Sequence, residues 1–430
     1  MKSVKSVITC DLEGRIETFN SGAQEIFGYQ PDEVIGKKRV SLFSPGLVVL
    51  GHVQNWLKTA REQGEFRSRT VFVRRDGTPF SADVLITPTF RNGQQIGYCG
   101  VTVPLPEVPP AEVMPKVSLA TRIFAWLVIT RAPFLTATIV PILAAAAWVF
   151  VRGNGEPFPW LVFWLALIGG IAVHISANTF NDYFDWSSGT DKVNNEYFMP
   201  YSGGSRSLEL GLISERKLLT VAWISLLIAA LAGLPILLMR GPMLLGFAAV
   251  GAFSAYFYTA PPLRLAARKG LGELIVGMNF GPLMTAGTVF ALTGQLSWLD
   301  VLIGLPIGLL TTAILWINQF PDMTADALTG KNNLVVVLGK ERARWGYLLI
   351  VAAAFITILI GILANILPWT VLIVLAALPL AVRAITVLFR RYTERSLIHA
   401  NSTTILLHLV VGLLMIAGLL AGPGLAAIFG

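Results

Sequence analysis

Two polar stretches stand out in the otherwise apolar second part of the chain, Asn181–Asp191 (NDYFDWSSGTD) and Asn318–Asp326 (NQFPDMTAD). Of the six aspartates beyond residue 105, five lie in them: Asp182, Asp185, Asp191, Asp322 and Asp326. On a helix, residues four apart share a face at a separation of about 6 Å. Asn181 and Asp185 make one such pair, and Asn318, Asp322 and Asp326 make a row of three, so the signature returns after 137 residues. Clustered carboxylate and amide oxygens suit hard divalent cations, above all Mg²⁺ shared with a substrate phosphate. Basic side chains beside them would neutralise the remaining phosphate charge, which makes diphosphate a good leaving group.

Each stretch closes a long hydrophobic run, so each reads as the polar end of a membrane helix. With 54% hydrophobic and 13% charged residues in 430, the chain is an integral membrane protein long enough for more than one domain. Nine runs are long enough to span: roughly 123–151, 160–180, 218–239, 243–258, 271–293, 301–317, 346–366, 368–389 and 403–428. The net charge of +8 does not point to nucleic acid, because the basic residues recur in short groups between apolar runs. If the N-terminus is cytoplasmic, the loops on that side carry fifteen Lys and Arg, against Arg152 and Arg240 on the other. That bias predicts a multi-pass protein of the cell (inner) membrane with both acidic stretches at the cytoplasmic face. An aspartate at the bilayer centre costs roughly 2.5–3.5 kcal/mol, so five of them must line a wet cavity or the interface.

Residues 1–105 are charged and turn-rich, lack a membrane-length run, and read as a separate soluble domain; 106–118 is a stiff Pro-rich linker and 119–430 the membrane domain. Val7–Cys10 and Arg15–Phe19 read as strands, Ser21 as the cap of a helix through Phe27, and Asp76-Gly77 and Asn92-Gly93 as hairpin turns. Cys10 and Cys99 form no CxxC or Cys/His cluster, which excludes a disulfide framework or a zinc site. The start, MKSVKSVITCDLEGRIE, lacks a signal-peptide core, so the region is expected to stay unexported. Over its whole length this α+β region, with ITCDLEGRIETFNSGAQEIFGYQPDEVIGK, VRRDGTPFSADVLITP and GQQIGYCGVTV, resembles a PAS domain. Such domains sense small ligands, light or redox state, or pair with another subunit, so a regulatory role or a homodimer is expected. His52, the one histidine here, reads as a surface or packing residue rather than a haem ligand, and no flavin-binding Asn-Cys-Arg context is present.

NDYFDWSSGTDK and INQFPDMTADALTGKNNLVVVLGKERA, with RAPFLTATIVP before them and YTAPPLRLAARKGLGELIVGMNFGPL between, resemble the UbiA-type intramembrane aromatic prenyltransferases, most of all the 1,4-dihydroxy-2-naphthoate branch. The resemblance covers about residues 119–430 and implies an all-α bundle of nine helices around a cavity. It further implies Mg²⁺ and a polyprenyl diphosphate at the mouth, with the tail in an apolar tunnel. By motif, Asn181, Asp182, Asp185 and Asp191 form the first metal-diphosphate site, and Asp322 and Asp326, with Asn318 on the same face, the second. Asp182, Asp185, Asp322 and Asp326 carry the catalytic role. Arg206, Arg264 and Lys331 are either diphosphate contacts or ordinary positive-inside residues. Ionisation would give an allylic cation that an electron-rich aromatic ring attacks, with loss of the acceptor carboxylate in the naphthoate branch. Asp191 stands ten residues after Asn181, as in that branch. Tyr183, Tyr256, Tyr258 and Trp316 could face the cation or simply pack, and His174 could activate the acceptor or be a satisfied core histidine. Two alternatives remain open: another acceptor, either a 4-hydroxybenzoate-like aromatic or a glycerol phosphate lipid, and a PAS-headed isoprenoid or quinone sensor without turnover.

Overall fold

The structure is a computed structural model and describes residues 4–153, 157–194, 196–198 and 201–429. The chain divides into two compact units, Met1–Ile129 together with Arg206–Ser214, and Thr130–Ser205 together with Glu215–Gly430.

The first unit is built on a five-stranded antiparallel sheet in the order β2-β1-β5-β4-β3, from β1 (Ser6–Asp11), β2 (Ile16–Phe19), β3 (Phe66–Val73), β4 (Pro79–Arg91) and β5 (Gln94–Pro104). The β4–β5 hairpin turns at Asn92 (φ 50°) and Gly93 (φ 78°), the left-handed pair that a tight two-residue turn requires. Ile8, Ile16, Phe27, Phe43 and Val84 form its apolar core. The helix α1 (Ser21–Phe27) is capped by Asn20, whose carboxamide oxygen accepts from Ala23 N at 2.8 Å, and not by Ser21, which is its first residue. Asn20 reaches the free amide from extended backbone, a bond worth about 1 kcal/mol. His52 ring nitrogen Nε2 lies 3.2 Å from the Lys116 carbonyl, a packing role. Burial pushes the Cys10 thiol up to about 12, so it stays a small apolar group. Within the same unit, Lys38 Nζ lies 3.8 Å from Glu209, and Gly46 packs so closely on the Leu210 carbonyl that a Cβ would stand 2.1 Å from it.

The second unit is all-helical. Among the described residues, eight helices are long and apolar enough to cross a membrane. Helices are numbered in chain order, with α2 (Gln54–Gln63) and α3 (Leu119–Ile129) in the first unit, and then α4 (Ala132–Arg152), α5 (Trp160–Ser187), α6 (Glu215–Arg240), α7 (Met243–Phe257), α8 (Leu271–Thr293), α9 (Leu305–Leu328), α10 (Leu334–Leu363, broken by a kink at Gly339 with φ 73° and ψ 153°), α11 (Trp369–Arg391) and α12 (Ile398–Phe429). The ninth expected span is α7, whose 15 residues reach only about 22 Å. The first expected run, 123–151, is broken: Arg131 adopts φ 54° and Pro133 follows, so the spanning helix begins at Ala132.

α9, which carries the second acidic stretch, belongs to the most buried of the spans, and Leu310, Ile317 and Phe320 anchor it in a core shared with Tyr347, Val351 and Ile358 of α10 and Leu407 of α12. α8 and α9 touch through small residues. A Cβ on Gly281 would lie 2.5 Å from the Gly304 carbonyl oxygen, and one on Gly308 would lie 2.2 Å from that of Gly277. Close packing of this kind holds helices where lipid gives no hydrophobic drive between them. Asp300, the sixth aspartate, lies near the start of α9, away from the acidic stretches. It accepts from Trp148 Nε1 at 2.8 Å and from Ser297 N at 2.7 Å, so its role is structural.

Candidate functional site

The ends of α5 and α9 bring the two acidic stretches to one cavity of about 440 Å³. Asn181, Asp185, Asp191, Asn318, Asp322, Asp326 and Lys331 all line it. Deeper, the wall is apolar, with Ile142, Leu165, Ile236, Leu244, Phe247 and Leu283. The expected row on α9 and the pair on α5 are real helix faces, because both stretches are helical through Asp326 and Asp185.

Lys331 joins the two stretches. Its ammonium lies 3.2 Å from Asp185 Oδ2 and 3.7 Å from Asp326 Oδ1. Burial acts to lower its pKa, but the Asp185 and Asp326 carboxylates outweigh that and hold it above the usual lysine range. Asn181 works as a relay on the α5 side: its Nδ2 donates to Asp185 at 3.3 Å, and its Oδ1 accepts from Arg131 Nη1 at 3.1 Å. Asn318 accepts from Asn401 Nδ2 at 2.7 Å, which ties the α9 row to α12.

A strap running through Gly203–Ser205 crosses both stretches. Gly203 N donates to Asp322 Oδ2 at 3.0 Å, and Asp322 Oδ1 accepts from Asn194 Nδ2 at 2.7 Å. Ser205 N donates to both carboxylate oxygens of Asp182, at 3.2 and 3.3 Å, and Arg131 Nη1 stands 3.7 Å from Asp182 Oδ1. Gly204 lies between them with φ +74°, and a Cβ there would meet Asp182 Oδ1 at 2.8 Å, so the position is held to glycine twice over. Asp182 is therefore buried beneath the strap and does not line the cavity, unlike Asp185 one turn on.

The expected basic residues separate. Lys331 is in the cavity wall; Arg206 and Arg264 are not. Arg206 belongs to the first unit, where its Nη1 lies 3.1 Å from Glu209. Arg264 takes a left-handed φ of 43° ahead of a short 3₁₀ turn. Of the aromatic residues, Tyr258 lines the cavity. Tyr256 packs edge-on against Phe180 and Phe184, Tyr183 against Phe184, and Trp316 is buried with Nε1 donating to the Ala343 carbonyl. His174 lines the cavity, with Nδ1 2.7 Å from Thr138 Oγ1 and its ring 4.8 Å from that of Phe280.

Sequence reasoning missed Arg131, Asn194 and Asn333. Arg131 was legible as a charge within an apolar run, which is a site signal in itself. Asn333 Nδ2 donates to Asp326 Oδ2 at 2.7 Å; it stands seven residues on, but the helix ends at Leu328 between them, so the spacing alone did not single it out.

Among the described residues, no three His, Cys, Asp or Glu side chains come together closely enough to hold a metal ion by themselves. The donor set instead fits a cation that keeps open positions. Asp185, Asp191, Asp322 and Asp326 line one cavity and offer hard carboxylate oxygens, the donor type that Mg²⁺ shared with phosphate takes.

Residues 138–410 match the UbiA prenyltransferase family, and residues 4–103 match the PAS domain. A 2-carboxy-1,4-naphthoquinone phytyltransferase from Synechocystis sp. is 30% identical over 307 residues, 71% of this chain and 95% of that protein. A 1,4-dihydroxy-2-naphthoate octaprenyltransferase from Mycobacterium tuberculosis is 33% identical over 264 residues, 60% of this chain and 84% of that protein. Among solved structures, a UbiA homologue from Archaeoglobus fulgidus bound to GPP and Mg²⁺ is 16% identical, covers 68% of this chain and 99% of its own, and aligns with a TM-score of 0.47.

Proposed function

Because the chain belongs to the UbiA prenyltransferase family, we propose that it transfers a prenyl group from a polyprenyl diphosphate to 1,4-dihydroxy-2-naphthoate, at the acidic mouth of this cavity and with Mg²⁺. The enzyme class itself, a multi-pass membrane prenyltransferase, follows from the family. The naphthoate acceptor is supported by the relatives that share 30% and 33% identity and carry naphthoquinone or naphthoate names.

The observation that carries the reading of the site is Lys331, on which one carboxylate from each acidic stretch converges at the opening of an apolar cavity. Charge supports the metal. The cavity lining holds four aspartates against Arg131 and Lys331, so an anionic diphosphate entering alone would be repelled. When bound, Mg²⁺ supplies the countercharge that draws electrons toward the leaving diphosphate. Asp185, Asp191, Asp322 and Asp326 are its proposed ligands, with Asn181 setting the Asp185 carboxylate. Asp182 acts by fixing the strap through Ser205. Lys331 takes up diphosphate charge, and Arg131 stands beside Asn181 on the same wall. Arg264 is held as an outer diphosphate contact, and Arg206, paired with Glu209 in the first unit, is not carried into the site. The apolar depth excludes water from the allylic carbon and fits the tail. The mouth is read as cytoplasmic from the positive-inside bias.

The PAS domain is read as a regulator, with dimerisation as its other role. Arg206–Ser214 packs within the first unit through Lys38–Glu209 and Gly46–Leu210, and it continues directly from Ser205, whose amide holds Asp182. Glu209→Lys, which makes the Lys38 pair repulsive, should change turnover at least about threefold; unchanged turnover would leave dimerisation, read by mass in detergent.

The deciding experiment follows labelled prenyl from geranylgeranyl and longer diphosphates to 1,4-dihydroxy-2-naphthoate, with purified protein and with Mg²⁺ or EDTA. The expected result is a decarboxylated prenyl-naphthol formed only with Mg²⁺. Donor binding without product would move the acceptor elsewhere, and no donor binding in Mg²⁺ would overturn the site.

A further inference from the structure

Glu273 is the third residue of α8, 3% exposed, and absent from the cavity wall. A buried carboxylate is expensive unless it is bonded. Its Oε1 accepts from the Leu334 amide at 2.8 Å and from Gln319 Nε2 at 3.1 Å, so one oxygen ties the start of α8 to the middle of α9 and the start of α10. The Leu334 amide is the first of α10 and has no partner inside its own helix. The residue before it, Asn333, does two things with one side chain: Oδ1 caps α10 by accepting from Val336 N at 2.9 Å, and Nδ2 donates to Asp326 at 2.7 Å. Two residues earlier stands Lys331, whose own amide donates to the Asp326 carbonyl at 2.8 Å.

We infer that Glu273 is a positioning residue of the diphosphate site: by anchoring the Leu334 amide it fixes the Lys331–Asn333 turn, and through that turn it holds Lys331 and Asp326 in their working geometry. The inference rests on the diphosphate reading of the cavity mouth. Its other oxygen, Oε2, and Gln319 Oε1 are buried without a hydrogen-bond partner. The carboxylate is thus satisfied on one side only, and its bond to Leu334 carries the anchoring alone with Gln319. The five residues 329–333 between α9 and α10 are held on the α9 side by bonds to Asp326, and Glu273 supplies the anchor from α8; a site loosened by 1 Å loses much of its rate.

The test compares Glu273→Ala, Glu273→Asp and Glu273→Gln in the full-length protein. Gln keeps the Oε1 acceptor. Asp keeps the charge but withdraws the oxygen by a methylene, and it serves if Ala does not fold. Amide hydrogen exchange of the 329–337 peptide is measured without substrate, and the KM for prenyl diphosphate is measured separately from kcat. Ala and Asp should speed exchange in that peptide and raise the donor KM about tenfold, the loss of a hydrogen bond to a charged group, with Gln close to the unmodified protein. Unchanged exchange in both Ala and Asp overturns the inference whatever the activity. Faster exchange with an unchanged donor KM overturns it as well, because the role is then only structural. If the unmodified protein fails to bind prenyl diphosphate, the reading of the mouth falls and this inference with it; the exchange arm, run without substrate, tells that failure apart from a missing anchor.

Discussion

Replacing Lys331 by Met tests the centre of the site. The ammonium is 17% exposed, and its partners Asp185 and Asp326 are 13% and 4% exposed at the side chain, so this is not a surface pair. At the observed 3.2 and 3.7 Å, each attraction amounts to roughly 5 kcal/mol at an effective dielectric of 20, before desolvation is subtracted. Removing one partner of such a buried pair leaves uncompensated charge at a cost of about 3–5 kcal/mol. Lys331→Met should therefore lower the thermal midpoint of the ligand-free protein. The two carboxylates it frees should then take a divalent cation more readily, and a cation at a hundred times its Kd returns about 2.7 kcal/mol. The midpoint of the variant should thus rise more steeply with Mg²⁺ than that of the unmodified protein. Catalysis moves the other way: loss of one charged contact to the diphosphate, about 1.5–3 kcal/mol, should cut kcat/KM for the donor by roughly 10- to 150-fold. Thermal melts against Mg²⁺ and steady-state transfer read the two effects. An identical Mg²⁺ response together with a kcat/KM within threefold of the unmodified value would refute the role of Lys331 as the bridge.

The double variant Asp185→Ala with Asp322→Ala should abolish transfer, and product formed by it would exclude both stretches from the chemistry. Gly204→Ala should destabilise by about 1–2 kcal/mol from its left-handed φ alone and raise the donor KM severalfold by displacing Asp182, read in melts and in kinetics; unaltered kinetics would show that the strap does not set the site. The Lys331 pKa is held above its unfolded value, so the stability it contributes is complete below about pH 10 and is lost only as pH rises through the folded value. Melts between about pH 7 and 9 should therefore show no fall attributable to Lys331, and a fall present in the unmodified protein but absent from Lys331→Met would contradict this.

The elements that repeat a period were legible. The hairpins at Asp76-Gly77 and Asn92-Gly93 and the spans were legible from turn residues and apolar length, whereas the pairing order β2-β1-β5-β4-β3 was not read from the sequence. What failed was local. Ser21 was taken for the cap that Asn20 supplies, because adjacent residues of the same capping class differ only in backbone angle, which composition does not encode. The first span was read through Arg131 because its neighbours are apolar, although a charge followed two residues later by proline is a break.

The candidate site divides along the same line. Asn181, Asp185, Asn318, Asp322 and Asp326 were found because helical spacing puts them on faces, and those faces meet at one cavity. Lys331 was found by motif, but its position between the stretches is set by the turn after α9, which no period describes. The partners that arrive from loops left no trace in spacing: Gly203 and Ser205 act through backbone amides, Asn194 through a carboxamide 128 residues from Asp322, and Arg131 through a guanidinium 50 residues from Asn181. Carboxylates in a mouth of this kind need donors whenever substrate and metal are elsewhere. The amides of Gly203 and Ser205, the carboxamides of Asn194 and Asn333 and the Lys331 ammonium are among the groups that meet that need. The donor set is thus legible from physical chemistry once the acids are placed, even though no pattern in the chain announces it.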